Sequence, residues 1–241
     1  MNIQPVIIPV GNEKLSGLLY TPELSNETKL PSVVILHGRG SSKKRYADRG
    51  EALAKRGILT LVFDFRGCGE SDGDFKHQTI AMGFEDAVAG YEFLKNHPQC
   101  DNKRLGVLGG SFGGYQAALL AEKYSIPSLV LAAPAIYQDD WWNIVPESMD
   151  PGRKELYRKQ SGFEGTKSMD AVSKYSGKIL ILEHEKDEII PQRVTEAYYQ
   201  NAVNAQLKEK KTIVDAPHAL HDKVYIDQAV RIVCDWFSKT L

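Results

Sequence analysis

The sequence predicts an α/β fold in which an eight-stranded, mostly parallel sheet is flanked by helices. Three observations predict it. Short runs rich in Val, Ile and Leu alternate with helix-like stretches, the pattern of strands covered on both faces by crossover helices. Two alternating segments at the N-terminus stand outside that rhythm and read as an antiparallel hairpin. The chain has 241 residues, 42% of them hydrophobic and 25% charged, and a chain of that size buries about 70% of its unfolded surface in one body. A single domain over residues 1–241 is expected.

The hairpin occupies residues 3–9 and 14–20, and Gly11-Asn12 between them suits a turn. Buried strands follow at about 32–37, 58–64, 104–109, 127–133 and 178–183, and a last one at Thr212–Asp215. Helices are expected at about 45–56, 79–97, 112–124, 191–204 and 223–239. In the last of these Val224, Ala229, Val230, Val233, Trp236 and Phe237 recur at helical spacing. Residues 134–176, after the sixth strand, break the alternation. They hold Trp141, Trp142, Met149, Tyr157 and Phe163 among Pro134, Pro146 and Pro151, with no strand period. So long an excursion reads as a short lid or binding insertion.

Composition removes several function classes. Lys plus Arg number 30 and Asp plus Glu 31, a net charge of −1, so there is no electrostatic footprint for nucleic acid or an anionic membrane. Cys68, Cys100 and Cys234 lie far apart without a CxxC pair, which suits a reducing compartment. The N-terminus lacks a basic n-region, Pro5 and Pro9 interrupt its apolar stretch, and no apolar run approaches the roughly 18 residues of a membrane span. A cytoplasmic monomer or homodimer is the expectation.

The strongest chemical signal is Gly109-Gly110-Ser111-Phe112-Gly113, a GxSxG pattern between a strand and a helix. A serine at the tip of so sharp a turn points its hydroxyl out over the sheet, and the glycines remove side chains that would collide below it. Ser111 is the candidate nucleophile. The other motifs are weaker. Gly67, Gly69 and Gly73 do not keep dinucleotide-binding spacing, and no GxxxxGK[ST] is present. His218-x-x-His221-Asp222 lacks a third ligand at a recognisable spacing, so no metal is expected.

These residues resemble the α/β-hydrolase superfamily, and the resemblance runs from the hairpin to the final helix. Val33-Val34-Ile35-Leu36-His37-Gly38-Arg39-Gly40 is similar to the family's strand-then-HGxG segment, and Asp64-Phe65-Arg66-Gly67-Cys68-Gly69-Glu70-Ser71-Asp72-Gly73 to its D-x-RGxGxSxG loop. The details are closest to small serine esterases and serine-peptidase-like hydrolases. The family's chain order of Ser, acid, His then implies Asp187, just past a buried strand and before Ile189-Ile190-Pro191, as the acid, and His218, between the last strand and last helix, as the base. Glu183, Glu185 and Glu188 read as a solvated charge-rich loop, His221 as a surface competitor of His218, and His184 as a loop residue. His37 reads as a buried histidine steering the oxyanion loop.

The same resemblance nominates the backbone N–H groups of Arg39 and Phe112 as the oxyanion hole. The Arg39 guanidinium is read as pointing to solvent, with an acidic substrate group as the other option. In the insertion, Asp139, Asp140, Trp141 and Trp142 are candidate substrate contacts, or the tryptophans anchor the segment. The expected activity is cofactor-free hydrolysis of a small carboxylic ester, aromatic and hydroxycinnamoyl esters included, through an acyl-enzyme. A peptidase, amidase or thioesterase would use the same residues, and a non-catalytic ligand-binding protein could keep the fold.

Overall fold

The computed structural model describes residues 1–23, 29–160, 162–163 and 165–241. One eight-stranded sheet runs through it in the order β1-β2-β4-β3-β5-β6-β7-β8. Strands β1 (Asn2–Val10) and β2 (Glu13–Thr21) form the antiparallel hairpin, and β2 pairs antiparallel with β4. Strands β3 (Leu30–Leu36), β4 (Leu59–Phe63), β5 (Cys100–Gly110), β6 (Ser128–Ala132), β7 (Lys178–His184) and β8 (Leu207–Ile213) are parallel to one another.

Both faces of the central strands are apolar, and the period of two divides them cleanly. Val34 and Leu36 of β3, Val107 of β5 and Ile179 and Ile181 of β7 enter one core, while Val33, Ile35, Leu108, Leu180 and Leu182 enter the other. Helices α2 (Ile80–Lys95), α3 (Phe112–Lys123), α5 (Lys167–Lys174) and α6 (Gln192–Asn201) cover the first face. Helices α1 (Ala47–Lys55) and α7 (Lys223–Thr240) cover the second. On α7 the buried stripe is Ala229, Val233, Trp236 and Phe237, whereas Val224 faces outward.

Two expectations change. The last strand lies at Leu207–Ile213 rather than Thr212–Asp215. Lys208, Glu209, Lys210 and Lys211 fill a sheet-edge strand whose pairing to β7 is carried by the backbone, and edge charges of this kind hide the apolar signal. Asp215 already stands outside the strand at φ 60°. The excursion after β6 is also shorter than residues 134–176, because α5 buries Met169, Ala171 and Val172 in the helical layer against α3 and α6. What remains among the described residues is two 3₁₀ turns, Asp139–Trp141 and Pro146–Ser148, and helix α4 (Pro151–Arg158), which starts with Asp150 accepting from the Arg153 N–H and Pro151 at its first turn.

No helix among the described residues is long and apolar enough to cross a membrane.

Candidate active site

Strand β5 ends at Gly110 and α3 begins at Phe112, so Ser111 alone makes the turn, at φ 50° and ψ −114°. A non-glycine residue there stores on the order of 1–3 kcal/mol of strain. Hydrogen bonds hold it: the Ser111 N–H donates to the Ala132 carbonyl at 2.9 Å, and its own carbonyl accepts from the Tyr115 and Ala135 N–H groups at 3.1 and 2.9 Å. The flanking glycines are required by close approach. A Cβ on Gly109 would collide with the Gly113 carbonyl, and one on Gly113 with the Leu36 carbonyl.

His218 and Asp187 come to this serine from the loops after β8 and β7. His218 Nε2 lies 3.0 Å from Ser111 Oγ, and His218 Nδ1 lies 2.7 Å from Asp187 Oδ2. The Asp187 side chain is only 2% exposed, and its Oδ1 accepts from the Ile189 and Ile190 N–H groups at 2.9 and 2.7 Å. A carboxylate fixed in this way holds the imidazole ring in one orientation. His221 Nδ1 faces the Arg45 guanidinium at 3.1 Å.

Several residues bind these loops together: Glu185 and Glu188 stand in the exposed loop that the sequence suggests, whereas Glu183 and His184 are buried against that expectation. Glu188 accepts the His218 N–H at 3.0 Å, and Glu185 accepts the Asp215 N–H at 2.9 Å. The Glu185 N–H reaches the Ile213 carbonyl at 3.1 Å and the Lys186 N–H the Ala216 carbonyl at 2.9 Å, while Lys186 pairs with Asp215. Glu183 is buried and accepts from the hydroxyls of Thr195 and Thr212. His184 is not a surface loop residue: it is 6% exposed at the end of β7, and its Nδ1 donates to the His218 carbonyl at 3.2 Å. Burial lowers its pKa, which keeps the ring neutral. Nothing in the local sequence marks these partners, because each contact spans about thirty positions.

The loop after β3 is set by His37. Its Nε2 accepts the Phe65 N–H at 3.0 Å, so Nδ1 carries the proton and donates to the Gly38 carbonyl at 2.7 Å. Complete burial lowers its pKa from 6.5 to about 4. Gly38 then packs against Ser111. The Arg39 N–H has no acceptor among the described residues, and the Phe112 N–H, in the first turn of α3, has no intrahelical one.

The Arg39 guanidinium does not point to solvent. Its side chain is 11% exposed and donates to both carboxylate oxygens of Glu147 and to the side chain and carbonyl of Gln78, over the rings of Phe75 and Phe112. Glu147 arrives from the excursion, and its contact with Arg39, 108 positions away, is not legible in the sequence.

Beside Ser111 opens a cavity of about 270 Å3, between the loop after β3, α1, the His218 loop and α7. The four insertion candidates do not line it. Trp141 is 1% exposed and meets the Tyr157 ring edge-on at 5.2 Å, with Phe163 behind it. Trp142 packs on Phe84 and beneath the Lys167 ammonium. Asp139 accepts from the Lys167 N–H, and Asp140 pairs with Arg153. The expected roof is thus an anchor: burying two indoles removes more surface from water than a solvated pocket wall would.

Comparisons with known proteins agree with the fold. The family described as serine aminopeptidase, S33, matches residues 28–161, which contain Arg39 and Ser111 but not Asp187 or His218. An uncharacterized protein of Mycobacterium tuberculosis is 24% identical over 236 residues, covering 95% of this chain and 79% of that protein. The Pyrococcus furiosus esterase Pf2001 superposes with a TM-score of 0.74 at 26% identity, covering 99% of this chain and 91% of that one. Est1E of Butyrivibrio proteoclasticus, solved with ferulic acid bound, gives a TM-score of 0.75 at 21% identity, covering 97% and 99%. The sheet, the strand-to-helix serine turn and the match over more than half of its length place the chain in the serine aminopeptidase S33 family of the α/β hydrolases.

Proposed function

We propose that this hydrolase cleaves small carboxylic esters through an acyl-enzyme formed on Ser111. The hydrogen-bonded chain Ser111–His218–Asp187, at 3.0 and 2.7 Å, carries the reading. His218 Nε2 takes the Ser111 proton as Oγ attacks the carbonyl carbon, and the carbonyl oxygen gains the negative charge. The N–H groups of Arg39 and Phe112 donate to that oxygen. Collapse of the tetrahedral adduct expels the alcohol, which leaves with the proton from His218. Water then attacks the acyl-enzyme by the same route, giving the acid and free Ser111. Asp187 holds Nδ1–H and stabilises the imidazolium at each step. No cofactor is needed.

The family description favours a second reading, an aminopeptidase. Such an enzyme needs an anionic group to hold the free α-ammonium of its substrate. Among the described residues the cavity is lined by three arginines and three histidines and by no Asp or Glu, which weighs against it. The cavity volume of about 270 Å3 favours a short acyl or alcohol group.

The test is turnover of p-nitrophenyl esters from acetate to decanoate and of a hydroxycinnamate ester, the latter because of the ferulic acid held by Est1E. Wild type is expected to prefer short chains and Ser111→Ala to lose the activity. Equal turnover by Ser111→Ala removes the serine mechanism. Faster cleavage of a matched aminoacyl anilide than of the ester returns the aminopeptidase reading.

A further inference from the structure

The cavity beside Ser111 carries an electrostatic bias that ester hydrolysis as such does not require. On a chain of net charge −1 its lining nevertheless holds Arg39, Arg45 and Arg49 and, among the described residues, no carboxylate. Arg39 is fully engaged by Glu147 and Gln78. Arg49 is buried, lies over the Tyr46 ring at 4.9 Å, and pairs with its neighbour Asp48 at 2.9 Å. Arg45 differs from both. Its polar contacts are the neutral Leu220 carbonyl at 3.3 Å and His221 Nδ1 at 3.1 Å, with no carboxylate among the described residues.

Arg45 is exposed in the 3₁₀ turn Lys43–Tyr46 just before α1, and Arg49 is buried in the first turn of α1. Arg49 even donates to the Arg45 carbonyl, at 3.4 Å. Both line a cavity that, among the described residues, holds no carboxylate. A guanidinium fork pairs best with a planar anion.

We infer that the cavity recognises an ester that carries a carboxylate, with Arg45 as the residue that binds it. This rests on the serine-esterase reading and names its substrate class: monoesters of dicarboxylic acids, or acyl esters of hydroxy acids. The two differ only in which side of the scissile bond bears the anion.

The experiment compares matched pairs, monoethyl glutarate against ethyl valerate and O-acetyl-4-hydroxybutyrate against butyl acetate, following acid release. Wild type should favour the anionic member of at least one pair by roughly 10- to 100-fold in kcat/KM, the range of a charge-assisted hydrogen bond. Arg45→Met should lower that ratio at least tenfold, and 0.5 M salt should shrink it in wild type. Arg56→Met, at an exposed arginine paired with Asp235, should leave the ratio as it is. Ratios of one or below in both pairs overturn the inference, as does a high ratio that Arg45→Met does not change. Fluorophosphonate labelling separates the two layers. A labelled Ser111 with no anionic preference sinks the substrate class alone, whereas an unlabelled Ser111 with no turnover of any ester sinks the serine-esterase reading and the inference with it.

Discussion

Two regions border Ser111 and are held by different forces. The loops after β7 and β8 are joined by backbone-directed hydrogen bonds: Glu188 to the His218 N–H, Glu185 to the Asp215 N–H, His184 to the His218 carbonyl. The excursion between β6 and α5 is held chiefly by ring packing of Trp141, Tyr157 and Phe163, with Glu147 tying it to Arg39 and the Ile80 and Ala81 N–H groups reaching the Ile144 and Trp142 carbonyls. Directional bonds set the position of a reacting nitrogen to a fraction of an ångström, which proton transfer demands. Apolar packing is non-directional and suits a segment that must stay attached without bearing the chemistry. Damage to the first region should therefore appear in kcat, and damage to the second in stability.

The largest effect breaks the first region at its centre. Ser111→Ala and His218→Ala should each lower kcat on a short p-nitrophenyl ester by about 10^4-fold or more, and Asp187→Ala somewhat less, with unchanged circular dichroism. Full activity in Asp187→Ala would move the acid elsewhere.

Next in size, Trp141→Ala should destabilise the fold by about 3–5 kcal/mol in urea unfolding, as removal of a buried aromatic does. Its KM for the same ester should move less than threefold. A large KM change with little loss of stability would return Trp141 to the substrate pocket.

Acid should then act on the loop after β3. Burial lowers the pKa of His37 to about 4, below its ordinary 6.5. Between these values the unfolded chain binds the proton and the native chain does not, so stability present at pH 7 falls as pH drops from about 6.5 to about 4. The loss from this group is about 3 kcal/mol, and His184, lowered in the same direction, adds to it. Urea unfolding across that range checks this, and stability rising toward pH 4.5 would contradict it.

The smallest effect sharpens the contrast. Glu188→Gln weakens the bond to the His218 N–H, worth about 1 kcal/mol, and should lower kcat a few-fold with almost no change in Tm. A fall in Tm with unchanged kcat would make Glu188 purely structural.

Much of this was legible beforehand. Strand and helix order followed from apolar runs and helical spacing, and Ser111, Asp187 and His218 stood at positions where short motifs and chain order mark them. The edge strand Leu207–Ile213 was missed at its N-terminal end because Lys208, Glu209, Lys210 and Lys211 cancel the hydrophobic signal while the backbone still pairs. Trp141 and Trp142 misled in the opposite way: a large aromatic in an irregular segment looks the same in sequence whether it faces a ligand or a core.

The division has a physical origin. Amino-acid order alone determined the fold class and the sharp turn that presents Ser111, because these depend on local backbone geometry and periodic burial, while Asp187 and His218 were implied by the family resemblance and its chain order. Only the tertiary structure decided that Arg39 is clamped by Glu147 more than a hundred positions away, that Arg45 meets Leu220 and His221, and that the cavity opens toward α1 and α7 rather than beneath the tryptophans. Those outcomes depend on which side chains meet across long stretches of chain. Their charge and exposure follow from neighbours that no local pattern names.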